Sequence, residues 1–212
     1  MKTRIASLTL LCLALAAIPA SAQTLYENGP INGTVDAWIF FPPYVVSDTF
    51  TLSANSTVGG FELGTWEFPG DILTSLSWSI TSLENGGTVY GSGKASGKNL
   101  TDTFLSTNQY DYDIDLITVT GLNVGLSSGT TYWLNLGNAT DPRGDPVYWD
   151  ENSGVGCKSS GCPSLASELE IGTVPSESFT ITGSGTTPEP SSVMLFGSGI
   201  LGLAGLVRRK LF

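Results

Sequence analysis

Apolar and polar residues alternate along this chain in short runs and do not recur every three or four positions. Ser75-Leu76-Ser77-Trp78-Ser79-Ile80 is the clearest case. A period of two puts Leu76, Trp78 and Ile80 on one face of an extended chain and the serines on the other. Residues 49–52, 58–66, 73–82, 88–90, 110–120 and 131–136 are rich in Thr, Val, Ile and aromatic side chains, which suit a pleated surface. Turn formers separate them: Asn28-Gly29-Pro30, Pro69-Gly70-Asp71, Asn85-Gly86-Gly87, Ser128-Gly129 and Asp141-Pro142. Asn85-Gly86 between apolar runs predicts a hairpin, because both residues tolerate positive φ. No stretch between the two ends of the chain sustains a helical period. The pattern predicts an all-β fold, an antiparallel β-sandwich of jelly-roll type.

Some segments are less regular. Residues 91–99 read as a Gly/Ser/Lys loop, and residues 138–163 as a long irregular one. A polar triplet before a phenylalanine recurs at Ser47-Asp48-Thr49-Phe50, Thr101-Asp102-Thr103-Phe104 and Ser176-Glu177-Ser178-Phe179, at unequal spacing. It reads as strand entry, with each Phe going into the core. Trp38 and Trp133 are also expected there.

The two ends have a different character. Lys2 and Arg4 precede an apolar run at 5–18, and Ala20-Ser21-Ala22 is a small-x-small cleavage site. Residues 1–22 therefore read as a signal peptide cut between Ala22 and Gln23. Cys12 lies inside the apolar run and lacks the small-residue box a lipoprotein needs. At the other end, Pro188-Glu189-Pro190-Ser191 leads into an apolar run, 192–207, stopped by Arg208-Arg209-Lys210. As a hydrophobic C-terminal helix this run spans roughly 24 Å, against a hydrocarbon core of ~30 Å. It is a short transmembrane helix, and its four glycines leave a small-residue face. The basic stop stays cytoplasmic. Residues 23–183 then form one exported domain, and 184–212 a tail.

Motif, span and basic stop in that order resemble the PEP-CTERM signal of Gram-negative exported proteins. The resemblance covers the tail alone. It implies recognition of Pro188, Glu189 and Pro190 by an exosortase-type membrane protease. It also implies at least transient residence in the inner membrane, and delivery to the cell envelope or an extracellular polysaccharide matrix.

The exported part is very acidic. Between Gln23 and Thr187 stand 18 Asp plus Glu against four cations, Lys94, Lys98, Arg143 and Lys158, a net charge of −14. Such a surface repels nucleic acid and anionic lipid. Cys157 and Cys162 survive signal cleavage, bracket four residues and reach an oxidising compartment, so a disulfide is expected.

The chain has no histidine, which removes Ser-His-Asp and Cys-His chemistry. No sequence pattern selects a carboxylate pair for glycoside hydrolysis from so many acids. No catalytic residue and no cofactor are expected. Asp111-Tyr112-Asp113-Ile114-Asp115 suggests calcium, but Leu116 and Leu122 break the EF-hand pattern. Read as a strand, it turns Tyr110, Tyr112, Ile114 and Leu116 inward and leaves the three aspartates on the solvent face. Their repulsion keeps a calcium ion there as the second reading.

Tyr148-Trp149-Asp150-Glu151 lies in the long segment. An aromatic ring beside carboxylates suits a sugar, stacking on its apolar face and accepting its hydroxyl hydrogens. The plainer reading makes Trp149 a plug at one end of the sandwich. The sequence thus supports a non-catalytic envelope or matrix protein. A carbohydrate-binding module and a surface polysaccharide hydrolase with paired carboxylates are the alternatives.

Overall fold

A computed structural model describes residues 22–185 and Gly199. The signal peptide, the sorting tail and the expected C-terminal helix lie outside these residues, apart from Ala22, Ser184, Gly185 and Gly199. No described helix is long and apolar enough to cross a membrane. The described chain is all-β. Its strands are β1 (Gln23–Glu27), β2 (Ala37–Ile39), β3 (Val45–Thr51), β4 (Ser56–Glu67), β5 (Ser75–Leu83), β6 (Gly86–Ser96), β7 (Leu100–Thr107), β8 (Asp113–Leu126), β9 (Thr131–Thr140), β10 (Tyr148–Asp150), β11 (Ala166–Glu168), β12 (Gly172–Val174) and β13 (Phe179–Gly185).

They form two antiparallel sheets. One runs β7-β8-β4-β13-β1, with β10 and then β2 joining beside the end of β4. The other runs β12-β11-β3-β9-β5-β6. Consider β1, β3, β4, β5, β6, β8, β9 and β13 in chain order. The first strand lies beside the eighth, the eighth beside the third and the third beside the sixth. In the other sheet the second lies beside the seventh, the seventh beside the fourth and the fourth beside the fifth.

The predicted alternation places the core. Leu76 and Ile80 of β5 are fully buried, and Trp78 packs against the cluster beside Phe61. Phe61 and Leu63 of β4 face Val119 and Ile117 of β8 across the ladder. Tyr26, Phe50, Tyr132 and Phe179 join through ring contacts at 5.6–6.5 Å. The hairpin falls where Asn85-Gly86 put it: β5 ends at Leu83, β6 starts at Gly86, and Asn85 adopts φ 42°. At a bulge in β4, a Cβ on Gly60 would collide with the Val119 carbonyl, so only glycine allows the strands to approach there.

Several expectations are corrected. Residues 91–99 are mostly the end of β6 and a 3-10 turn, Gly97–Asn99. Residues 138–163 contain β10. Trp133 lies outside the core, because Tyr132, Leu134 and Leu136 take the inner face of β9. Phe104 is 58% exposed on strand β7, which among the described residues pairs with β8 alone. The phase of β8 is also reversed. Asp115, Ile117 and Val119 face the interior, and Tyr110 and Asp111 precede the strand in a turn, with Asp111 at φ 63°. Ile114 points the other way and is buried beneath Gly33 of the β1–β2 connection.

Candidate functional site

Tyr148, Trp149 and Asp150 form β10, pinned between β2 and β4. Trp149 is fully buried: its indole Nε1 donates to the Ser178 carbonyl at 2.8 Å, and its ring meets Phe179 edge-on. The ring is therefore not free to stack on a sugar, and of the two readings of Trp149 the burial favours the plug over the sugar platform. The apolar face that made it attractive is spent on the core.

Asp150 is equally buried and is a structural acceptor. Its Oδ1 takes hydrogen bonds from Trp66 Nε1 and Gly33 N, and its Oδ2 from Asn32 N and Ser178 Oγ. Burial pushes its carboxyl upward, and these donors oppose the shift. Glu151 is mostly buried and accepts from Trp38 Nε1. These two carboxylates are committed to the fold.

Tyr148 alone of the four belongs to an open surface. It meets Tyr112 at 5.8 Å; Tyr112 meets Phe68 at 5.1 Å and Trp66 at 5.8 Å; and Tyr110 stacks on Trp66 at 5.9 Å. Tyr110 and Phe68 are exposed. An aromatic platform thus covers the outer face of β4 and the turn before β8. Tyr110 and Tyr112, which the alternation assigns to the inner face of a strand, carry the sequence signal for it.

The acids gather elsewhere. Cys157 and Cys162 form a disulfide that closes a loop over β1, where Ser159 Oγ accepts from Glu27 N and Lys158 pairs with Glu27. Behind that loop Asp48 is fully buried and accepts from Thr49 N, Glu177 N, Ser164 Oγ, Ser176 Oγ and Asn28 Nδ2. Burial raises its carboxyl to about 7 against these hydrogen bonds. Beside it Glu177 is fully buried with neither oxygen hydrogen-bonded, and burial drives its carboxyl well up.

At the far end of β4 and β8 the inner face changes from apolar to acidic. Beyond the Leu63–Ile117 row come Thr65 opposite Asp115, then Glu67. Asp102 of β7 joins them, so Glu67, Asp102 and Asp115 bring carboxylate oxygens within 4.8 Å of one another. Burial raises Glu67 to about 8 and Asp115 to about 7, and the Asp102 charge adds to both. A second trio, Asp71, Asp141 and Asp145, lies in the adjoining loops, with Arg143 paired to Asp71 at 2.6 Å.

The aspartates read as one calcium candidate do not converge. Asp111 is in an exposed turn, Asp113 accepts from Gly70 N and Thr107 Oγ1, and Asp115 goes inside. A concavity among Leu52, Ser128 and Ser159 has no acidic residue in its lining.

The PEP-CTERM protein-sorting motif is found at residues 186–210. No curated protein matches the chain.

Proposed function

We propose that this chain is a non-catalytic jelly-roll domain, delivered through its PEP-CTERM tail to the cell envelope or an extracellular polysaccharide matrix. The motif at residues 186–210 carries the reading: it makes the chain an exported protein sorted by an exosortase-type system. The interleaved strand order supports the jelly-roll assignment. The placement of the acids supports a non-catalytic role. Asp48, Asp150 and Glu177 are packed inside the sandwich, where no polysaccharide chain can lie between two of them.

Sorting is tested by intact mass and fractionation. The exported protein should begin at Gln23 and lack residues 192–212. Replacing Pro188 and Pro190 by alanine should leave a membrane-retained precursor, and unchanged processing of that variant would refute the assignment.

A second reading rests on the aromatic platform. Tyr110, Tyr112, Tyr148 and Phe68 give a cluster of tilted aromatic rings that carry phenol hydroxyls, a composition that suits a glycan. Tyr110→Ala should weaken retention on the native polysaccharide about tenfold with little change in melting temperature. Equal retention of both proteins would leave the platform without that role.

A further inference from the structure

Burying three like charges together is costly unless something neutralises them. Asp115 is 4% exposed, Glu67 is fully buried, and Asp102 is half-buried. The ion pairs among the described residues, Arg143 with Asp71 and Lys158 with Glu27, do not include this trio. Two of its oxygens are engaged: Glu67 Oε1 accepts from Thr65 Oγ1 at 2.9 Å, and Asp102 Oδ2 from Leu73 N at 2.6 Å. Two others, Glu67 Oε2 and Asp115 Oδ2, are wholly buried and have no hydrogen-bond partner.

A shared proton is one way to neutralise the group. A cation between the oxygens is the other way. Oxygens bound to one calcium at 2.3–2.6 Å stand up to about 5 Å apart across it, and the oxygens of this trio lie close enough together to share one ion. The donors are all carboxylate oxygens, which select hard cations over zinc or copper. They come from three neighbouring strands, so the ladder fixes their spacing. Asp102, the most exposed, gives water and the ion a way in. The Asp71 trio differs because Arg143 already neutralises part of it.

We propose that Glu67, Asp102 and Asp115 bind a hard divalent cation, calcium, at the acidic end of the β4–β8 ladder. The ion ties edge strand β7 to β4 through β8, and so rigidifies the end of the sheet opposite Gln23 and Gly185.

The test uses the exported protein stripped with EDTA, then titrated with calcium or magnesium chloride at fixed pH. Calcium should raise the melting temperature saturably, on the order of 5–10 °C at about 100 times Kd. Asp115→Asn and Asp102→Asn should each abolish that increment, whereas Asp141→Asn, in the second trio, should keep it. If Asp115→Asn does not fold, the more exposed Asp102→Asn decides. A wild type indifferent to both metals would overturn the proposal, and an acid stabilisation that Asp115→Asn reduces would then assign shared protons to the trio. An increment that survives in Asp102→Asn and is lost in Asp141→Asn would overturn it in favour of the other trio.

Discussion

Trp66 and Asp150 meet where β4 runs beside β10, the indole Nε1 donating to carboxylate Oδ1 at 2.7 Å. The pair connects the two regions that matter most here. One face of the Trp66 ring belongs to the aromatic platform, and its nitrogen is tied to the acid that organises the β1–β2 connection.

Asp150→Ala should therefore be severe. It strands four donors, on Trp66, Gly33, Asn32 and Ser178, in a buried setting. A loss of about 3–5 kcal/mol is expected in urea unfolding. Asp150→Asn, which keeps one acceptor oxygen, should lose less.

Trp149→Ala should cost about 3–5 kcal/mol, as for a large side chain removed from a packed core. Below its lowered melting temperature the variant should retain any glycan binding of the wild type. Selective loss of binding without destabilisation would contradict its buried placement.

Stability should fall as pH rises through neutrality. An unfolded aspartate titrates near 3.9. Burial holds Asp48 near 7 in the folded chain, so the folded form keeps a proton that the unfolded form has released. The resulting stabilisation is complete below about pH 4 and is lost as pH climbs through about 7. Glu177, packed against Asp48, acts in the same direction. The urea midpoint should drop between pH 5.5 and 8, and Asp48→Asn should flatten part of that slope. A wild-type midpoint that rises over this interval would contradict the burial of both groups.

Reduction of the Cys157–Cys162 disulfide should act locally. The closed loop is short, and the entropy of closing it is worth about 2 kcal/mol. Amide exchange should quicken around Ser159 and Ser164, whose hydrogen bonds reach Glu27 and Asp48, before global unfolding changes. Hydrogen-exchange mass spectrometry with and without reductant would measure it.

Much of the sheet structure was legible because one face of each long strand is apolar and the turns carry Gly, Asn and Pro. The β5–β6 hairpin came straight from Asn85-Gly86. β8 was misread because it is apolar on both faces: Ile114 and Leu116 compete with Ile117 and Val119. What decides between them is the connection over Ile114, a long-range contact that local alternation does not contain. The gathering of acids was illegible for a related reason. Glu67, Asp102 and Asp115 are separated along the chain and meet only through the register of β4, β7 and β8. Reading carboxylates as solvent-facing is right on average and fails at such convergences.

The pairing of β1 with β13 fixes an order of events. Among the described residues β1 has one neighbour in its sheet, and that neighbour is the last described strand, with Gln23 beside Gly183. The first strand to cross the membrane must therefore wait, unpaired, for the last. The sheet closes only when residue 185 has emerged, one position before the sorting motif begins. Gln23 and Gly183, the two ends of the exported domain, thus lie side by side at one end of the sheet, opposite the acidic end of β4.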